Sequence, residues 1–235
     1  MFSKAKIHVE DLVRNKSITN EARAMSFALS RIIYPENPSS AVVRFLNYVD
    51  TLFWEKKGNP APPPHAYKQT TVKQYAKLFS TTTFVETGTY RGDMVEATKK
   101  TFDKIYSIEL DANLHAAAKQ RFSRHRNITI IKGDSGKELP KLLESIKSPC
   151  LFWLDSHFSS GVTARGDLET PIMKELRCIL NHATKNHVIL IDDASYFVGQ
   201  KDYPTIGELK RSVLNANPNL VVRTENNIIR IHSQP

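Results

Sequence analysis

Acidic side chains follow two apolar runs of the sequence, at the points where the runs end. One run ends at Asp155, and the other ends at Asp192 and Asp193. In an open α/β sheet the carboxyl ends of the strands share one edge, so these carboxylates would converge there. Their mutual repulsion raises their pKa values unless a cation holds them together, and magnesium suits such oxygen ligands. The spacing predicts a divalent-metal site at these three residues, with a helix N-cap for Asp193 and a cofactor contact for Asp155 as the alternative.

His157 follows Asp155 by two residues, at the same predicted strand end. Its ordinary pKa of about 6.5 suits a general base that takes the proton from a substrate hydroxyl. A metal ligand, or a group that orients Asp155, is the alternative role, and we favour the base. Asp155 and His157 are therefore the candidate catalytic residues. The polar residues 158–168 form a long connection that could cover the bound substrate. Within it, Arg165 would bind an anionic substrate beside His157. The alternative is that the Arg165 side chain is simply solvated.

A glycine-containing loop follows the first strand of the pattern. Gly88 permits a tight turn and close approach of a ligand, and Gly92 lets the next helix lie near the strand. Glu109 ends the second strand about 20 residues beyond Gly88, where an acid can accept both ribose hydroxyls of a nucleotide. Asp134 follows the third strand, where its carboxylate can accept from an adenine amino group. These features together predict an adenosine-containing ligand.

The elements that must position these residues are short strands alternating with helices from about residue 70 onward. Predicted strands occupy 83–86, 105–109, 128–131, 151–155 and 188–192, with helices over 94–102, 112–122, 139–146 and 172–180. Such β-α repeats predict a Rossmann-like, doubly wound α/β fold with a mostly parallel sheet. Residues 220–224 and 228–232 flank a Glu-Asn-Asn turn, so they predict an antiparallel C-terminal hairpin and bring the sheet to seven strands.

The first part of the chain differs in character. Helical periodicity predicts one helix that begins near Asn20 and a second that begins at Ser39 or Ser40. The apolar face of the second helix comprises Val42, Phe45, Leu46, Val49, Leu52 and Phe53. A proline-rich linker over 58–64 then separates an N-terminal helical extension, 1–65, from the main domain, 66–235. The helices could pack on that domain, cover its site or form a homodimer surface, and we favour packing.

Composition limits the class of protein. The chain has 235 residues, a net charge of +9 and two cysteines, with no apolar run of the ~18–20 residues that span a bilayer. These features predict a soluble, cytoplasmic protein without a disulfide framework. A cluster of cations without acids comprises Lys119, Arg121, Arg124, His125, Arg126 and Lys132. The solvated end of a helix is the favoured interpretation of this cluster, and an anion-binding face is the alternative.

The motifs resemble those of the class I S-adenosylmethionine-dependent methyltransferases. Residues 84–92 look like the first motif of that family, Glu109 like its ribose-binding acid, and residues 133–135 like its adenine-side loop; the match covers about 70–235. Thr89 and Tyr90 depart from the pattern, since a glycine is frequent there. The resemblance implies S-adenosylmethionine as the cofactor. It implies cofactor contacts at Glu86, Thr87, Gly88, Thr89, Tyr90, Gly92, Glu109, Leu110, Asp134, Ser135 and Asp155.

The three aspartates resemble the metal ligands of magnesium-dependent O-methyltransferases of catechols and antibiotic sugars. Residues 154–176 also resemble methyltransferases that accompany polysaccharide biosynthesis. These resemblances imply methyl transfer to an oxygen of a small molecule or glycan. A dehydrogenase is disfavoured because the full Gly-x-Gly-x-x-Gly is absent. Two alternatives are left open: an RNA or DNA methyltransferase, and a non-catalytic binding protein. The net charge supports the first of these, although no Asn-Pro-Pro-Tyr-like motif follows the fourth strand.

Overall fold

The computed structural model describes residues 41–155 and 170–234. They form two compact units that divide between Thr71 and Val72. The predicted helix near Asn20 lies outside the described residues. The predicted division into 1–65 and 66–235 stays a prediction.

The first unit contains helix α1 (Ala41–Lys56) and the beginning of helix α2 (His65–Leu78). The second predicted helix is confirmed as α1, and Val49 and Phe53 form a small apolar cluster on it. Trp54 is almost fully buried, and its Nε1 donates a hydrogen bond to the carbonyl of Pro60 at 2.7 Å. Its ring also packs on Tyr67, with 4.6 Å between the centroids. The proline-rich segment is therefore fastened to α1 through one buried tryptophan.

The second unit is built on one seven-stranded sheet. Its strands are β1 (Thr83–Thr87), β2 (Lys104–Glu109), β3 (Ile128–Lys132), β4 (Leu151–Leu154), β5 (Val188–Ile191), β6 (Val221–Glu225) and β7 (Ile228–His232). The spatial order is β3-β2-β1-β4-β5-β7-β6, and β1 to β5 are parallel. Strand β7 runs antiparallel to both β5 and β6. The predicted Rossmann-like sheet with its C-terminal hairpin is confirmed, and the chain order reverses between β1 and β4, where such sheets open a ligand crevice.

Helices cover both sides of this sheet. Besides the end of α2 they are α3 (Asp93–Thr98), α4 (Ala112–Arg121), α5 (Ser135–Ser145), α6 (Ile172–Asn181) and α7 (Ile206–Ala216), with a short 3-10 helix at Ala194–Tyr196. The main apolar core joins α5, α6 and α7 to one face of the sheet, for example through Leu139, Leu176 and Leu209. This packing holds the carboxyl ends of the strands in fixed relation to one another.

Some helix boundaries differ from those that the sequence predicts. Helix α5 begins at Ser135 rather than Leu139, because the Asp134 carboxylate accepts a hydrogen bond from Gly136 N and caps the helix. Helix α3 ends at Thr98, before the predicted residue 102. Neither α2 nor α7 is predicted. Helix α7 nevertheless begins with a capping box, in which Thr205 and Glu208 each bond the other's backbone N–H.

Candidate functional site

The loop after β1 has the compact backbone that its glycines predict. Gly88 has φ +87° and Gly92 has φ +77°, a left-handed conformation that suits glycine. Gly88 N donates to the carbonyl of Ile108 at 3.0 Å, which ties the loop to the end of β2. A Cβ atom on Gly92 would lie 2.7 Å from the Phe122 ring. The close approach at Gly92 is therefore to Phe122, the residue that follows α4, and the predicted packing of the next helix near the strand stays a prediction.

Glu109 organises this loop from the end of β2. Its side chain is 6% exposed, and Oε2 accepts a hydrogen bond from Tyr90 N at 2.7 Å. The other oxygen, Oε1, accepts from Asp111 N at 2.9 Å. Because each carboxylate oxygen has two acceptor positions, Glu109 keeps capacity for the two hydroxyls of a ribose. The predicted ribose contact stays a prediction, but the carboxylate is already fixed for it.

A buried polar chain lies beside Glu109 and begins at Glu86. Ser107 Oγ lies 2.5 Å from Glu86 Oε2 and 2.6 Å from Thr89 Oγ1. All three side chains are at most 3% exposed. Burial raises the pKa of Glu86 well above its usual value, and the negative charges of Asp155 and Glu109 raise it further, against the Ser107 hydrogen bond. These surroundings therefore favour the neutral form of the Glu86 carboxyl.

The remaining predicted cofactor residues surround the same loops. Asp134 and Ser135 stand at the start of α5, where the Asp134 carboxylate already serves as the helix cap. Leu110 is half-buried after Glu109, whereas Tyr90 is 43% exposed. Thr87 is fully buried, and its hydroxyl has no hydrogen-bond partner among the described residues. The structure thus brings these residues to one edge, and their cofactor contacts stay predictions.

The three predicted aspartates converge at the ends of β4 and β5. Asp155 N donates to the carbonyl of Thr87, and Asp192 N donates to that of Leu154, both at 3.0 Å. One carboxylate oxygen from each of Asp155, Asp192 and Asp193 lies within 4.8 Å of the other two. Octahedral magnesium, with ligands at ~2.1 Å, holds neighbouring oxygens ~3 Å apart and opposite ones ~4.2 Å apart. At most one of the three pairs can be opposite, so at least two pairs would have to approach ~3 Å, and the all-oxygen donor set suits a divalent cation that draws the carboxylates together.

The local conformation separates the two consecutive acids. Asp193 has a left-handed backbone, φ +52°, and its N–H donates to Asp192 Oδ1 at 2.8 Å. The Asp193 side chain makes no capping hydrogen bond to the 3-10 helix that follows it. Asp193 thus stands at the N-cap position of this short helix, but its side chain does not serve as the cap. Asp192 is 4% exposed, and Asp155 and Asp193 are half-buried.

Two residues beside the aspartates are missing from the set that the sequence predicts. Asn227 Nδ2 donates a hydrogen bond to Asp193 Oδ1 at 3.1 Å. Tyr203 lies close enough for Asp193 and Asp155 to raise its phenol pKa, although burial is the larger cause. In the sequence, Asn227 signals only a turn, and Tyr203 has no motif around it. Only the folded chain brings either residue to the acids.

Tyr203 belongs to an aromatic group next to the acids. Its ring lies 5.8 Å from that of Tyr196 and 5.1 Å from that of Phe197, measured between centroids. Tyr196 is 53% exposed and Val198 is 60% exposed, whereas Phe197 is buried. The loop after β5 therefore presents apolar surface to solvent beside the carboxylates.

Other predicted residues fall outside the site or outside the described ranges. His157, Arg165 and the segment 158–168 lie between the two described ranges. Within the basic cluster, Arg121 Nη1 donates to the Arg91 carbonyl at 2.5 Å and to Asp93 Oδ1 at 3.1 Å. This arginine is therefore part of a structural ion pair that fastens α4 to the loop before α3. The other exposed cations of the cluster are Lys119, Arg124, Arg126 and Lys132.

Comparison with known proteins places the fold. No protein-family model matches the chain, and no curated protein matches it. The structure resembles the O-methyltransferase TomG from Streptomyces achromogenes, involved in tomaymycin synthesis and solved with SAM: TM-score 0.54, 13% identity, covering 77% of this chain and 86% of TomG. It also resembles an O-methyltransferase from Bacillus cereus in complex with SAH, with TM-score 0.55, 11% identity, and 88% and 97% of the two chains covered.

A third similar structure is the SAH-bound methyltransferase PaMTH1 from Podospora anserina, with TM-score 0.50 and 14% identity, covering 93% of this chain and 89% of that protein. At such identities the likeness shows a shared fold. In the part of the chain that the structure describes, no helix has the length and apolar character to cross a membrane.

Proposed function

We propose that this protein is an S-adenosylmethionine-dependent methyltransferase that methylates an oxygen of a small molecule or glycan with the help of a divalent metal. The observation that carries the proposal is the convergence of Asp155, Asp192 and Asp193 within 4.8 Å at the carboxyl edge of the sheet. The fold shared with solved SAM- and SAH-bound methyltransferases supports the cofactor.

The residues at the ends of β1, β2 and β3 suit a cationic nucleoside. Glu109 and Asp134 would hold the adenosine, with Glu86 and the Gly88 loop near the methionine part. S-adenosylmethionine supplies the methyl group on a positively charged sulfur. The buried Glu86 would lower the free energy of that positive charge, since its own ionisation becomes more favourable beside a cation.

The residues at the ends of β4 and β5 would hold the metal and the acceptor. A magnesium ion held there would supply a positive charge that favours the ionised form of the acceptor oxygen. Asp155, Asp192 and Asp193 would bind the ion and fix its position relative to the cofactor loop. His157, which follows Asp155 in sequence, is the proposed general base, and Arg165 the proposed contact to an anionic acceptor.

The acceptor class is supported by the aromatic surface of the β5–α7 loop. Aromatic faces pack well on sugar rings and other flat molecules, and Tyr196 and Tyr203 lie beside the aspartates. A nucleic-acid acceptor is the second candidate, favoured by the exposed Lys119, Arg124, Arg126 and Lys132. Binding that weakens steeply with salt would favour this second candidate.

Calorimetry with S-adenosylhomocysteine, followed by methyl-transfer assays on phenolic, sugar and RNA acceptors, tests the proposal. We expect cofactor binding without metal, and transfer to an oxygen acceptor that EDTA abolishes and magnesium restores. Absence of cofactor binding would favour a non-catalytic protein. Full transfer in EDTA would remove the metal from the proposal.

A further inference from the structure

The turn between β6 and β7 contacts the loop that carries Asp193. The backbone carbonyl of Asn227 accepts a hydrogen bond from Ala194 N at 2.9 Å. Its side-chain Oδ1 accepts from Ser195 N at 2.8 Å, and its Nδ2 donates to Asp193 Oδ1 at 3.1 Å. A single residue thus makes three hydrogen bonds to three consecutive residues, 34 to 32 positions earlier in the chain.

The topology explains why this turn is at the active edge. Strand β7 runs antiparallel to β5, with Ile229 opposite Ile191, so β7 begins where β5 ends. The residue that precedes β7 is therefore placed beside the residues that follow β5. Asn227 also has φ +62°, a left-handed conformation that asparagine tolerates better than most residues.

The hydrogen bonds also determine the orientation of the Asn227 amide. Ser195 N is a donor only, so the atom that faces it must be the acceptor Oδ1. The amide nitrogen then faces Asp193 and donates to one of its carboxylate oxygens. Asn227 can therefore restrict rotation of the Asp193 side chain while the second carboxylate oxygen remains unaffected by this bond.

We propose that Asn227 is a positioning residue that orients the Asp193 carboxylate for binding of a divalent cation. This inference rests on the proposed function, because it assigns Asn227 a role toward the proposed metal site. Partners that orient metal ligands typically change metal affinity by ~10–100-fold when they are removed. The proposal makes the C-terminal hairpin part of the site rather than only the edge of the sheet.

Manganese binding to the full chain, measured by electron paramagnetic resonance without cofactor, tests the proposal. Asn227→Gly removes the side chain but retains the left-handed backbone and the carbonyl that accepts from Ala194. We expect its manganese dissociation constant to rise ~10–100-fold. Asn186→Gly is the matched control, since Asn186 is an exposed asparagine with φ +61° at the opposite edge of the sheet. Its dissociation constant should stay within about twofold of the wild type.

A double-mutant cycle separates positioning from general loosening of the fold. In Asp193→Ala the side chain that Asn227 orients is absent, so adding Asn227→Gly should weaken manganese binding no further. Thermal melting should remain cooperative, and S-adenosylhomocysteine affinity should match the wild type, in the two single variants and the double variant of this cycle, which shows that they fold.

Each outcome bears on one of the two proposals. Equal manganese affinity in Asn227→Gly and the wild type would overturn the positioning role while the metal site stands. The positioning role would also be overturned if Asn227→Gly weakened manganese binding by the same factor in the wild type and in Asp193→Ala. A wild-type chain that binds no manganese would instead contradict the metal site itself.

Discussion

Two regions of the same sheet edge handle negative charge in different ways. At the ends of β1 and β2, Glu86 and Glu109 each accept hydrogen bonds from neutral donors, a serine hydroxyl and two backbone N–H groups. At the ends of β4 and β5, oxygens of Asp155, Asp192 and Asp193 lie within 4.8 Å of one another. Hydrogen-bond donors stabilise the carboxylates of the first region, whereas the carboxylates of the second region face each other and would be stabilised by a cation. The first region therefore suits the proposed nucleoside, and the second suits the proposed metal ion.

Replacing a carboxylate of the second region should have the largest effect. We expect Asp192→Asn to slow methyl transfer ~10²–10³-fold, the scale of losing one electrostatic stabiliser of the reacting oxygen, because the proposed metal ion would be held less well. Its S-adenosylhomocysteine affinity, measured by calorimetry, should stay unchanged. Initial rates over a magnesium titration measure the loss, and equal rates for variant and wild type would contradict the distinction between the two regions.

A pH effect at the opposite edge of the sheet must be separated from any pH effect on catalysis. His187 accepts a hydrogen bond from Cys150 N at 3.0 Å, and burial lowers its pKa from 6.5 to about 4. Between these two values the unfolded chain binds the proton and the folded chain does not. Stability should therefore decrease as the pH falls from 6.5 towards 4, by up to ~3 kcal/mol.

Urea unfolding at several pH values measures this loss. In His187→Gln the free energy of unfolding should depend less on pH over the same window. If the variant keeps the full pH dependence, His187 is not its source. Activity profiles below pH 6.5 are informative only where the wild type remains folded.

Removing the acid of the first region tests the nucleoside half of the comparison. We expect Glu109→Ala to weaken cofactor binding by ~1.5–3 kcal/mol, the scale of lost hydrogen bonds to a charged group. The variant also loses the acceptor of Tyr90 N, which should loosen the loop. Calorimetry with S-adenosylhomocysteine measures the loss, with Glu138→Ala, which removes an ion pair to the exposed Lys141, as the control. Unchanged affinity in Glu109→Ala would refute the ribose assignment.

The smallest expected difference concerns the close packing of the loop after β1. Gly92→Ala adds a methyl group 2.7 Å from the Phe122 ring, at a left-handed backbone position. Gly58→Ala has a nearly identical φ of +80° but meets no atom within 4 Å. Both variants carry the backbone cost of ~1–2 kcal/mol, and only Gly92→Ala adds steric strain of ~1–3 kcal/mol. Urea unfolding should show this difference, and equal losses would mean that Phe122 moves aside freely.

Local patterns in the sequence predict much of this protein. Buried runs with acidic ends predict the strands, and strands that end in Asp155 and Asp192 predict carboxylates at one edge, because parallel strands end on the same side. The loop after β1 is predicted because Gly88 directly follows β1 and Glu109 ends β2. In contrast, α2 is not predicted, since its sequence is largely polar, and the start of α5 depends on a cap that Asp134 makes only in the folded helix. The predictions for His157 and Arg165 concern residues outside the described ranges.

The tertiary structure alone decides which distant residues meet at the site. Asn227 reaches Asp193 because β7 is inserted antiparallel beside β5, and Phe122 limits Gly92 because α4 packs beside the loop. Periodicity and turn signals report the preferences of neighbouring residues, whereas these contacts depend on strand order and helix packing. The amino-acid sequence thus determined the chemistry available at each strand end. The fold determined which distant residues contact the side chains at those strand ends, because contacts between residues far apart in the chain form only when the whole sheet assembles.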